Sequence, residues 1–143
     1  MTNRLVVSIS AIAFLFLIGC SPSGPEPIQF GKDQCHYCKM TISNPKYGAE
    51  LITKKGRVYK YDAAECVVNQ ISEGDIEYSA IYAIAYNKPK ELNPVDSLHF
   101  IISKDFRSPM GANLAAFSEK DNIADEYQGQ LLTWEEVRKS LKE

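Results

Sequence analysis

Apolar and polar positions alternate along "RVYKY", Arg57 to Tyr61, and "YGAELIT", Tyr47 to Thr53, precedes it across the turn "KKG". A period of two is the pattern of a half-buried strand, so these runs predict a β-hairpin. Lys54 and Lys55 sit at its solvated tip, and Tyr59 and Tyr61 are expected to pack across strands. In "DAAECVVNQI" the period lengthens. Ala63, Cys66, Val67 and Ile71 share one helical face, and Asp62 with Glu65 three residues later has the form of a capping box. The pattern predicts a helix from Asp62 to about Ser72, ended by Gly74. "AIYAIAY", Ala80 to Tyr86, reads as a buried strand, "NKPKELNP" as a Pro-interrupted loop, and "LHFIIS", Leu98 to Ser103, as a further strand containing His99. After "SPMG", "ANLAAF" fits strand or helix. Ser118 to Tyr127 reads as a weakly amphipathic helix closed by Gly129, and "QLLT" as a last strand. Thr133 with Glu136 caps a C-terminal helix that carries Trp134, Val137 and Leu141 on one face.

Strands and helices in this order predict an α+β protein in two parts. "GAELIT" and "GANLAAF" open the two halves, a weak internal repeat. The length, 143 residues, suits one ordinary domain or two small units sharing a core.

The start of the chain has another character. Arg4 precedes an apolar run from Leu5 to Ile18, which ends in "LIGC". The run is shorter than the roughly 20 residues of a membrane span and reads as a secretory signal, residues 1–19. Its ending resembles the lipobox of bacterial lipoproteins, which would make Cys20 a diacylated N-terminus. The expected location is the cell envelope, anchored by lipid to a membrane and facing the periplasm or extracytoplasmic side. Residues 21–29, "SPSGPEPIQ", hold three prolines and a glycine and read as a spacer. With residues 20–30 as tether, the reach from Cys20 to the next cysteines is on the order of 50 Å. Residues 31–143 are expected to be the globular part, with sub-units at about 31–90 and 91–143.

The formal charge of −2 becomes −3 once residues 1–19 are removed, because 15 basic side chains then face 18 acidic ones. No basic stripe marks a nucleic-acid partner. Of four cysteines, Cys20 would be committed to lipid, leaving Cys35, Cys38 and Cys66. An odd number of thiols in an oxidising compartment leaves at least one to stay free, bind something or pair elsewhere. Cys66, on the apolar helix face, reads as a small buried residue.

"DQCHYCKM", Asp33 to Met40, concentrates the candidate chemistry. As a thiol-disulfide oxidoreductase site, Cys35 and Cys38 should open a long helix, yet Asn44-Pro45 follows closely. Haem attachment requires histidine where Lys39 stands. A structural zinc site needs a closed set of four ligands, with only Cys66 and His99 left to complete it. A Cys35–Cys38 disulfide stiffening a lipid-anchored interaction module is compatible with the compartment. Cu(I) is the remaining reading: soft thiolates favour it, Met40 adds a thioether, and His36 offers a nitrogen.

"CHYCKMTI", "YKYDAAECV" and "SPMGANLAAF" together resemble the NosL family, lipoprotein copper chaperones associated with nitrous oxide reductase maturation in denitrification. The resemblance spans roughly Gly31 to Val137. It departs at Lys39, where the family often has glycine, and at Ala63, where an aspartate pair is common. It implies two related ββαβ units, similar to a domain of organomercurial lyase, and Cu(I) binding without catalysis. It also implies handover to an ABC-transporter-linked complex that assembles the copper centres of nitrous oxide reductase. Carried over, the implied ligands are Cys35, Cys38, Met40 and Met110, with His36 or Cys35 completing the site.

Overall fold

The computed structural model describes residues 24–74, 76–119 and 123–142. The expected signal segment, residues 1–19, and Cys20 lie outside the described residues. Strands β1 (Ala49–Thr53) and β2 (Val58–Tyr61) form the expected hairpin, in register from Ala49 opposite Tyr61 to Ile52 opposite Val58. Helix α1 (Ala64–Ser72) follows and leads to β3 (Tyr78–Ile84), which returns antiparallel beside β1. Gly74 takes φ +81 just past α1, a conformation that L side chains resist. The first sheet is completed by β4 (Leu92–Pro94), giving the order β2-β1-β3-β4.

A short 3₁₀ turn, Val95–Ser97, leads into β5 (His99–Ile102) and β6 (Leu114–Phe117). Helix α2 (Ile123–Glu126), β7 (Leu131–Leu132) and helix α3 (Trp134–Ser140) close the chain. The second sheet runs β6-β5-β7. Both units therefore place the first strand of a ββαβ run between the second and the third, all antiparallel. This is the α+β architecture that the periodicity and the resemblance imply.

The larger of two buried apolar clusters spans both units. Leu51, Tyr61 and Val67 of the first unit belong to the same buried cluster as Phe100, Leu114, Trp134 and Val137 of the second. A backbone bond from Tyr86 N–H to Ala116 O, 2.6 Å, ties the end of β3 to β6. Because α1 packs on β1 and β2 inside this core, its residues Ala64 to Val68 are all buried.

Three local expectations are corrected. Helix α1 is capped by Ala63 without a side-chain bond, because Asp62 turns inward and accepts the Ser43 N–H. "NKPKELNP" contains β4, which pairs with β3 at its proline-tolerant edge. The predicted helix from Ser118 to Tyr127 is reduced to α2, with residues 120–122 outside the described set.

The spacer also behaves differently from its composition. Glu26 N–H donates to Glu50 Oε2 at 2.9 Å, and Lys60 Nζ donates to Pro27 O at 2.9 Å. Ile28 is buried over Gly48, where an added Cβ would meet Ile28 Cδ1 at 2.8 Å. From Glu26 onward the segment is thus strapped onto the hairpin.

Candidate metal centre

The strap leads directly into the cysteine loop. Gln34 and Thr41 pair across its base, Cys35 N–H donates to Met40 O at 2.8 Å, and Lys39 N–H donates to Cys35 O at 3.1 Å. Closing the loop this tightly puts Lys39 at φ +64, the left-handed region that glycine enters most easily. Lys60 anchors the loop twice: its Nζ pairs with Asp33 at 2.9 Å, and its carbonyl accepts the His36 N–H at 2.8 Å. The loop is therefore held against the edge of β2.

Its thiols then meet α1. The Sγ atoms of Cys35, Cys38 and Cys66 all lie within 4.8 Å of one another. Cys35 and Cys66 are 1% and 0% exposed, whereas Cys38 retains partial access to solvent. The Cys66 S–H, the backbone N–H groups of Asp62 and Cys38, and the Cys38 S–H converge on the Cys35 sulfur. Led by the Cys66 bond, they bring its pKa down to about 5 against the opposing effect of burial. Cys66 is pushed up by donating to Cys35 and by burial, and Cys38 is pushed up chiefly by burial. The trio thus rests as one thiolate shared by two thiols. A cation entering it meets one negative sulfur, and two more become available as protons leave.

The side chains singled out from the sequence are distributed around this trio. The mutually close donor atoms are the three sulfurs, without His36. The His36 ring stacks on Tyr59 at 3.9 Å and meets Tyr61 edge-on at 6.1 Å. Its pKa is lowered by burial and then by the neighbouring Lys39 and Arg57 cations, so its neutral form is favoured. Met40 is 46% exposed, and its backbone N–H donates to the Cys38 sulfur, which sets it at the edge of the trio. Met110, 37% exposed, lies in the turn closed by Gly111 N–H to Ser108 O. Buried Ser108 bonds to Glu65, the residue beside Cys66, so this turn is anchored to the helix that carries the third thiol.

Cys66 was legible as buried but not as part of the cluster. The odd thiol count was the one sequence signal for it, since helical spacing places the residue on the inward face without showing what lies opposite.

The model of the NosL family matches residues 27–142. The chain belongs to the NosL family. It shares the fold of a crystal structure of the copper chaperone NosL from Shewanella denitrificans, with a TM-score of 0.67 over 79% of this chain and 96% of that one. Sequence identity is 20%, so this likeness is one of fold. Among curated proteins none matches the chain. Within the NosL frame, the chain carries a lysine at a left-handed position and a three-sulfur cluster that joins its N-terminal loop to α1.

Proposed function

We propose that this NosL-family protein is a Cu(I) carrier in which Cys35, Cys38 and Cys66 hold the ion as cargo, with Met40 beside them as a thioether for its entry and exit. The observation carrying this reading is the convergence of three sulfurs within 4.8 Å. Soft thiolates favour Cu(I), which accepts a three-sulfur set, while a structural zinc site closes with a fourth ligand. Among the described residues, no histidine or carboxylate joins the three sulfurs at that spacing. Burial of Cys35 favours a carrier over a thiol oxidoreductase: the thiolate is 1% exposed and offers little approach to a disulfide substrate.

The finer reading follows the family. The mature protein is anchored through lipid on Cys20 in the cell envelope and passes Cu(I) to the ABC-transporter-linked machinery that assembles the copper centres of nitrous oxide reductase. The strap supports delivery close to the membrane. Only residues 21–25 separate Cys20 from strapped Glu26, a length of chain that spans at most about 20 Å.

Anaerobic titration of the reduced mature chain against a competing Cu(I) chelator tests the carrier. The expected result is one tightly held Cu(I) per chain, with affinity falling roughly tenfold or more in Cys38→Ser and Cys66→Ser. Wild-type affinity in both variants would remove the assignment.

A further inference from the structure

Two cations that the metal site itself does not require, Lys39 and Arg57, both act on His36, which lies between Cys35 and the solvent-accessible Cys38 in the chain. Arg57 Nη1 donates to Tyr59 Oη at 3.2 Å, and its guanidinium lies 5.8 Å from that ring's centroid. The His36 ring stacks on Tyr59, and Lys39 Nζ bonds to His36 O. Lys39, His36, Tyr59 and Arg57 therefore form one continuous stripe that starts at Lys39, between Cys38 and exposed Met40 in the chain. Among the described residues, neither Lys39 nor Arg57 has a carboxylate within ion-pair distance. The stripe is positive on a chain whose net charge is negative.

Lys39 also occupies backbone that disfavours it. At φ +64 glycine is the residue that enters the backbone conformation most easily. Lys90 enters the same region at φ +71 in a loop, so what singles out Lys39 is its place between Cys38 and Met40 together with its contact to His36. On these grounds, and resting on the Cu(I)-carrier reading, we infer that Lys39 and Arg57 form a docking rim for an acidic protein face that takes copper from the trio. Ligand exchange at Cys38 and Met40 requires the acceptor's sulfur to come within bonding distance. Opposite charge on the two rims raises the rate of that encounter and excludes basic surfaces. A protein fits better than an anionic membrane because the stripe begins at the residue next to the thiol through which an ion leaves, and a lipid surface offers no soft ligand to receive it.

The test uses the Cu(I)-loaded mature chain under anaerobic conditions. Two synthetic peptides share one Cu(I)-accepting Cys/Met segment, flanked by aspartates in one and by lysines in the other. Stopped-flow transfer to the aspartate peptide should be faster by roughly tenfold at low ionic strength, and the advantage should vanish in high salt. Lys39→Gly, which relieves the strained backbone, should fold at least as stably and bind copper as wild type, yet lose most of the preference. Lys39→Gly combined with Arg57→Gln should abolish it. Equal rates for the two peptides, or a preference retained in the double variant, would overturn the docking rim while leaving copper binding intact. If the variants lost copper affinity with both peptides slowed or accelerated alike, the cations would serve the metal site and the inference would fail. Adsorption to phosphatidylglycerol vesicles through these residues without peptide discrimination would also refute it. Failure of wild type to load copper would instead strike the carrier reading.

Discussion

Glu50 is 0% exposed beneath the strap, with Oε1 unpartnered and Oε2 accepting the Glu26 N–H. Burial raises its pKa from 4.5 to about 7, despite the opposing effects of that bond and of Lys60; Glu26 and Asp33 add smaller upward contributions. The folded chain consequently binds more protons than the unfolded chain between about pH 4.5 and 7. Stability should fall as pH rises across that window, and the loss should be complete above it. For the full shift the difference is up to about 3 kcal/mol. Glu50→Gln keeps an oxygen for the Glu26 N–H and removes the titration. Relative to wild type it should gain stability from pH 5 to pH 8, with a relative shift in melting temperature on the order of 10 °C. Thermal unfolding of the reduced, metal-free mature chain, followed by circular dichroism, gives the comparison. Parallel wild-type and variant curves over this range would show that Glu50 does not titrate as its burial demands.

Three further outcomes follow from individual contacts. Because Cys35 is already a thiolate near neutrality, Cu(I) loading at pH 7 should release about two protons rather than three, as read by an indicator dye in weak buffer. Gly48→Ala should destabilise the fold by about 1–3 kcal/mol in urea unfolding and loosen the strap, since the new methyl would meet Ile28 Cδ1 at 2.8 Å and Ile84 Cδ1 at 3.1 Å. Thr133→Ala should cost about 1 kcal/mol in the same assay, because Thr133 and Glu136 form a reciprocal capping box on α3.

Period and caps made much of the fold readable. The β1–β2 hairpin follows from alternation in "RVYKY", and α3 begins where Thr133 and Glu136 announce it. The same capping signal failed at Asp62, because tertiary structure offers that carboxylate the Ser43 N–H and draws it inward. Strand β4 was hidden because its residues are paired along one edge of β3, and three residues with a proline carry no period. The strap was hidden by composition. Three prolines suggest a spacer, while Ile28 and the backbone of Glu26 and Pro27 meet partners twenty or more positions away. At the site, Cys35 and Cys38 were legible as a pair from their local spacing. Cys66 was not, because its approach depends on α1 crossing behind the hairpin. Lys39 was already marked as a departure from the family's glycine, and its φ supplies the physical meaning of that departure.

The central claim is that sulfur from α1 completes the site begun by the N-terminal loop. Copper K-edge X-ray absorption on the Cu(I)-loaded mature chain tests it most directly, with wild type compared against Cys66→Ser loaded to the same stoichiometry. The account predicts that the variant loses one sulfur scatterer from the copper shell while Cys35 and Cys38 continue to ligate. An identical copper–sulfur shell in both proteins would contradict it.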